Sequence, residues 1–142
     1  ITGNVSYEAE NHGKMIALRK AKIDGIAADL PPVEIDGPAK GKLLVVGWGG
    51  TKGSITAAVE AARGEGMNVS QIHLRHLHPF PSNLGDVLRS FDKVLLPELT
   101  DGHLALLLRA KYLVDVQSFS KIIGQPFKIG ELVESIRKLH GA

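Results

Sequence analysis

Cysteine is absent from the 142 residues. That excludes a disulfide framework, a thiolate nucleophile, a cysteine-ligated zinc site and an iron–sulfur cluster held by this chain. An excess of either charge is also missing: 17 Lys and Arg stand against 15 Asp and Glu, a formal net +2. So small and scattered a balance excludes the electrostatic footprint of a nucleic-acid binder. No apolar run approaches the roughly 18 residues of a membrane span. No basic stretch followed by an apolar one opens the chain as a secretory signal would, so a cytoplasmic protein is expected. What is present is ordinary for a globular domain, with 44% hydrophobic and 23% charged residues. A chain of this length buries about two-thirds of its unfolded surface in a single core without a staple. It begins at Ile1, not methionine, and reads as a piece of a longer polypeptide.

Two units are expected: 1–38, a long helix with a proline-rich linker, and 39–142, an α/β domain. Residues 7–30 lack proline, and Met15, Ile16, Ile23, Ile26 and Leu30 fall in one helical sector. Arg19 and Lys22 lie in or beside that sector. Their stems cover apolar surface while the charges reach water, or they meet a partner chain's carboxylates. Pro31-Pro32 ends the helix, and the linker carries three prolines with Gly37 and Gly41.

From Leu43 strands and helices alternate. Leu43–Val46 is continuously apolar, as a strand covered on both faces must be. Ile55, Ala58, Val59 and Ala62 have helical spacing. Val69–Leu77 reads as a second strand. Ser82 reads as the N-cap of a helix bearing Leu84, Val87, Leu88 and Phe91. Lys93–Leu99 is a third strand and Gly102–Ala110 a helix. Val114, Val116 and Ser118 mark a fourth strand. Leu132, Val133, Ile136 and Leu139 mark the final helix. The alternation predicts a three-layer α/β fold, a mostly parallel sheet with helices on both faces, preceded by the long N-terminal helix. Ligands of such folds meet the loops after the strands.

Four groups lie in those loops. Gly47, Gly49, Gly50, Thr51 and Gly53 form a glycine-rich turn between strand and helix, a candidate anion site. The order Gly47-x-Gly49-x-x-Lys52 breaks the dinucleotide pattern, and Lys52-Gly53-Ser54 inverts the phosphate-loop order. The structural alternative is a tight turn with close helix–sheet contact. His73, His76 and His78 crowd the second strand, where alternation puts His76 and His78 on one face and His73 on the other. Two histidines without a carboxylate fall short of a zinc site, and no metal is expected. Glu98 and Asp101 end the third strand, as an acid or base in a pocket or as a cap on the next helix. No nucleophile–base pair is spaced for catalysis, so no catalytic residue is assigned. Finally, Leu104-Ala105-Leu106-Leu107-Leu108 covers most of a helix circumference. It is a central core helix or, through Leu104, Leu106, Leu107 and Leu108, an interface with another chain.

The run Leu44-Val45-Val46-Gly47-Trp48-Gly49, with Thr51 and Gly53, resembles the carboxyl-terminal, transketolase-like domain of the alpha subunit of 2-oxoacid (2-oxoglutarate):ferredoxin oxidoreductases. The resemblance continues through Leu74-Arg75, Pro79-Phe80-Pro81, Leu96-Pro97-Glu98-Leu99 and Gly102 with Leu104-Ala105. Its longest segment is Leu107-Leu108-Arg109-Ala110-Lys111-Tyr112-Leu113-Val114-Asp115-Val116, followed by Gly124-Gln125-Pro126-Phe127. Two positions depart from the family pattern: Gly50 replaces a common serine and His78 a common asparagine. Both departures weaken a hydroxyl or metal role there.

The resemblance implies a complex that oxidatively decarboxylates a 2-oxoacid, read here as 2-oxoglutarate, to the acyl-CoA while reducing ferredoxin. It implies thiamine diphosphate, an iron–sulfur cluster and coenzyme A in the complete complex, none of them bound by this chain. The implied partners are the remainder of the alpha subunit, the beta subunit and, indirectly, ferredoxin; nucleic acid and membrane are not among them. The expected role is assembly and scaffolding, the isolated piece being inactive. The alternative is an autonomous phosphate- or nucleotide-binding α/β module that uses the Gly47–Gly53 turn.

Overall fold

The computed structural model describes residues 3–141. Its centre is a four-stranded sheet, β1 (Gly41–Trp48), β2 (Val69–Leu74), β3 (Phe91–Glu98) and β4 (Val116–Ser120), in the order β2-β1-β3-β4. Every pairing within it is parallel. Each crossover carries a helix: α2 (Lys52–Gly64), α3 (Leu84–Arg89) and α4 (His103–Tyr112), with α5 (Ile129–Gly141) closing the chain.

Side-chain alternation along β1 builds both cores. Leu44 and Val46 face one side, where they join Ile72, Leu74, Val94, Leu96 and Val116 beneath α3 and α4. Leu43 and Val45 face the other, where Val69 and Leu95 meet α2 and α5. The central strands therefore have no polar face, which is why their sequence reads as continuous apolar runs. Three layers result, α3 and α4 on one side of the sheet and α2 and α5 on the other.

Ahead of the sheet, α1 (Ala9–Gly25) continues into a 3₁₀ turn at Ile26–Ala28. The helix is shorter at both ends than the 7–30 span expected, and none of its residues is buried. After Pro31-Pro32 the linker runs along the outer edge of β2. Asp36 and Gln71 exchange both backbone hydrogen bonds at 2.9 Å. Asn83 clamps the linker from the opposite side: its Oδ1 accepts from Val33 N at 2.8 Å and its Nδ2 donates to Val33 O at 3.0 Å. Asn83, not Ser82, is the N-cap of α3, and its side chain serves the linker instead of the helix. β2 ends at Leu74, short of the expected Leu77, because its partner β1 ends at Trp48, directly opposite Leu74. β4 begins two residues later than expected, because Leu113 adopts a left-handed conformation (φ 55°) that ends α4, with its amide donating to Arg109 O at 2.9 Å.

Candidate functional site

The loops after β1 and β3 flank the point where the chain's winding reverses, the usual ligand position in an open parallel sheet. Gly47 and Trp48 complete β1, and Gly49–Thr51 form a 3₁₀ turn that leads into α2. Thr51 Oγ1 donates to Trp48 O at 2.8 Å and accepts from Trp48 N at 3.2 Å. Its hydroxyl is thus already used in holding the turn. A Cβ at Gly47 would lie 2.9 Å from Ile55 Cδ1 and 3.0 Å from His73 Nδ1, so helix and sheet approach too closely for any side chain there. Gly49 has φ +57°, while Gly50 and Gly53 border open space. The crevice between Trp48–Thr51 and Leu99–Thr100 measures only about 80 Å³. The turn therefore has the geometry of close packing, and its crevice falls well short of the roughly 300 Å³ of ordinary small-molecule sites.

Glu98 is fully buried at the end of β3. Its Oε2 accepts from Thr100 Oγ1 at 2.7 Å and from Leu104 N at 3.1 Å. Its Oε1 accepts from Ser118 Oγ at 3.1 Å and from Ala105 N at 3.4 Å. Two of the four donors are orphan amides in the first turn of α4, so the carboxylate caps that helix from the preceding strand and complements its dipole. Between the acid–base and the capping alternatives, these contacts describe a cap. Asp101 is exposed in the connecting loop.

The three histidines separate. His73 alone lies in β2; His76 and His78 follow the end of the strand, so strand alternation does not relate them. Among the described residues no three His, Asp or Glu side chains gather as a metal site. His73 Nδ1 is buried against Gly47 with no hydrogen-bond partner among the described residues. Burial, then the positive charges of Lys52 and Arg75, hold the ring's pKa below the ordinary histidine value.

The leucine run divides by helical phase. Leu104 and Leu108 are spent inside this chain's own core. They are therefore not available to another chain, which corrects the expectation that all four leucines share an interface. Leu106 and Leu107 are 67% and 57% exposed.

A larger cleft, about 460 Å³, opens between the linker and the carboxyl end of β2. It brings Lys52 of α2 together with His73, Arg75 and His76, residues of no shared motif. Sequence reasoning missed it, because the linker wall is placed by the long-range Asn83–Val33 clamp and the Asp36–Gln71 bridge.

Comparison with known proteins follows this architecture. Residues 41–137, spanning β1 to α5, match the family described as pyruvate:ferredoxin oxidoreductase core domain II. The chain is 50% identical over 137 residues to the 2-oxoglutarate oxidoreductase subunit KorA of Mycobacterium tuberculosis, covering 96% of this chain and 21% of that protein. It is 30% identical over 131 residues to the alpha subunit of 2-oxoacid:ferredoxin oxidoreductase 2 of Aeropyrum pernix, covering 88% and 20%. It spans about a fifth of the length of these relatives. Among solved structures, a 2-oxoglutarate:ferredoxin oxidoreductase from Magnetococcus marinus superposes with a TM-score of 0.88 at 23% identity, covering 98% of this chain and 25% of that one. A split-gene transketolase superposes at 0.60 with 16% identity, over 79% of this chain and 43% of that one. These two likenesses carry the fold, a parallel α/β sheet of transketolase type. With its two-sided parallel sheet and the match running from the first strand to the last helix, the chain belongs to the pyruvate:ferredoxin oxidoreductase core domain II family.

Proposed function

We propose that this chain is the assembly domain of the alpha subunit of a 2-oxoacid:ferredoxin oxidoreductase, acting on 2-oxoglutarate in the cytoplasm. The complex oxidatively decarboxylates the 2-oxoacid to its acyl-CoA and passes the electrons to ferredoxin. Thiamine diphosphate, an iron–sulfur cluster and coenzyme A supply that chemistry from elsewhere in the assembly. The donor set here fits neither a cluster nor a metal-bridged diphosphate: the chain has no cysteine, and no metal-binding cluster occurs among the described residues. No helix among those residues is long and apolar enough to cross a membrane.

The carrying observation is 50% identity to a 2-oxoglutarate oxidoreductase subunit across nearly the whole chain. Two features support a scaffolding role. Leu106 and Leu107 present an apolar face on α4 that the chain's own core leaves uncovered. The helix α1 buries nothing against the domain. In this reading 39–142 is the docked body, 1–38 is an arm laid on the rest of the alpha subunit, and the beta subunit completes the assembly.

Co-expression with the other subunits tests it. Leu106→Asp combined with Leu107→Asp is expected to abolish co-purification while leaving the circular dichroism melt of the domain unchanged. Full retention of the complex overturns the reading, as does oxidation of 2-oxoglutarate by the isolated chain.

A further inference from the structure

The cleft beside β2 is lined by Lys52, His73, Arg75, His76 and Glu34, with Pro31, Pro32 and Ile35 among its apolar walls. Its second carboxylate, Asp36, is already engaged: Arg63 Nη1 donates to it at 3.1 Å, and Gln71 Nε2 donates to its other oxygen. Lys52 and Arg75, by contrast, have no ion-pair or hydrogen-bond partner among the described residues. Two unpaired cations against the single carboxylate of Glu34 leave a net positive potential there. His73 adds an imidazole to the same wall. The volume of about 460 Å³ suits a small organic ligand and exceeds what a lone inorganic ion fills.

We propose that this cleft binds a phosphate ester of nucleotide size, with its phosphate on Lys52 and Arg75. A terminal phosphate brings close to two negative charges to those two cations, whereas a carboxylate brings one. The apolar walls then cover the ring or chain that carries the phosphate. The site is distinct from the crevice between Trp48–Thr51 and Leu99–Thr100, and it stands whether or not the assembly reading holds.

Titration calorimetry of the purified protein, in whatever assembly it purifies in, tests the site with three probes: AMP, inorganic pyrophosphate and succinate. Saturable binding of AMP and pyrophosphate is expected, with succinate at least about tenfold weaker. Lys52→Gln and Arg75→Gln each weaken both phosphate probes by about tenfold, the worth of one charge-assisted bond. Both residues are exposed, so these variants keep the fold. Lys128→Gln, which does not line the cleft, changes neither affinity. No saturation by AMP or pyrophosphate overturns the proposal, as do affinities indifferent to Lys52→Gln and Arg75→Gln.

Discussion

Helices α1 and α5 sit at opposite ends of the chain and are held by different means. α5 has 13 residues and buries Leu132 and Ile136 against the sheet, beside α2. α1 has 17 residues and buries none; Met15, Ile16 and Leu18 remain exposed. Greater length does not compensate, because most helical stability in proteins comes from packing an apolar face and not from propensity. The local support for α1 is the exposed ion pair of Lys20 with Asp24, a contact that solvent screens. One chain thus holds an element fastened by its own core and another that supplies an apolar surface without a fastening.

Core truncation breaks this comparison most directly. Leu108 is fully buried on α4, so Leu108→Ala is expected to cost about 2–5 kcal/mol. Ile16→Ala on α1 should stay within about 0.5 kcal/mol in the isolated chain. Urea denaturation followed by circular dichroism measures both. Equal costs would mean that α1 is packed after all. A large cost for Ile16→Ala that emerges only in the assembled complex would place its partner there.

Glu98→Gln comes next. It replaces one acceptor oxygen with a donor where four donors already converge. The expected loss is about 2–3 kcal/mol, since the bonds are made to a charged acceptor and the site is buried. Hydrogen exchange should report it first at the Leu104 and Ala105 amides. An unchanged melting temperature would remove Glu98 as the cap of α4.

Gly47→Ala follows at about 1–2 kcal/mol, because its methyl would press on Ile55 and His73. Gly53→Ala, in the first turn of α2 and in open space, should instead stabilise by about 0.5–1 kcal/mol. Thermal melts of the two variants should therefore move in opposite directions. A shift in the same direction would show that Gly47 has room to yield.

The contrast between those glycines marks what the sequence makes legible. Both occur in one glycine-rich turn, and the strand–helix alternation places that turn correctly between β1 and α2. Continuous apolar runs reveal the parallel sheet because both faces of β1 and β3 are covered. Helical periodicity likewise separates Leu132 and Ile136 from the exposed side of α5. Which glycine is crowded depends on His73, 26 positions away in the chain, and no local period carries that. The same holds for the division of Leu104 and Leu108 from Leu106 and Leu107: five apolar residues in a row conceal the phase that the sheet selects. Asn83 looks like ordinary turn chemistry until Val33 lies against it. The cleft is missed for this reason, being walled by a linker whose position rests on two contacts 35 and 50 residues apart.

His73 supplies the smallest expected effect. Its ring is held neutral first by burial and then by Lys52 and Arg75. The folded state therefore binds its proton less readily than the unfolded chain, whose histidine titrates near about 6.5. The sign follows from linkage: this contribution to stability is fully present above the unfolded value and is lost as the pH falls from there toward the depressed folded value. Melting temperatures of the wild type should fall on acidification through that window, and His73→Gln should show a shallower fall. Arg75→Gln removes one of the opposing charges and should lessen the slope by a smaller amount. Identical slopes in all three proteins would mean that the ring reaches water in the folded state.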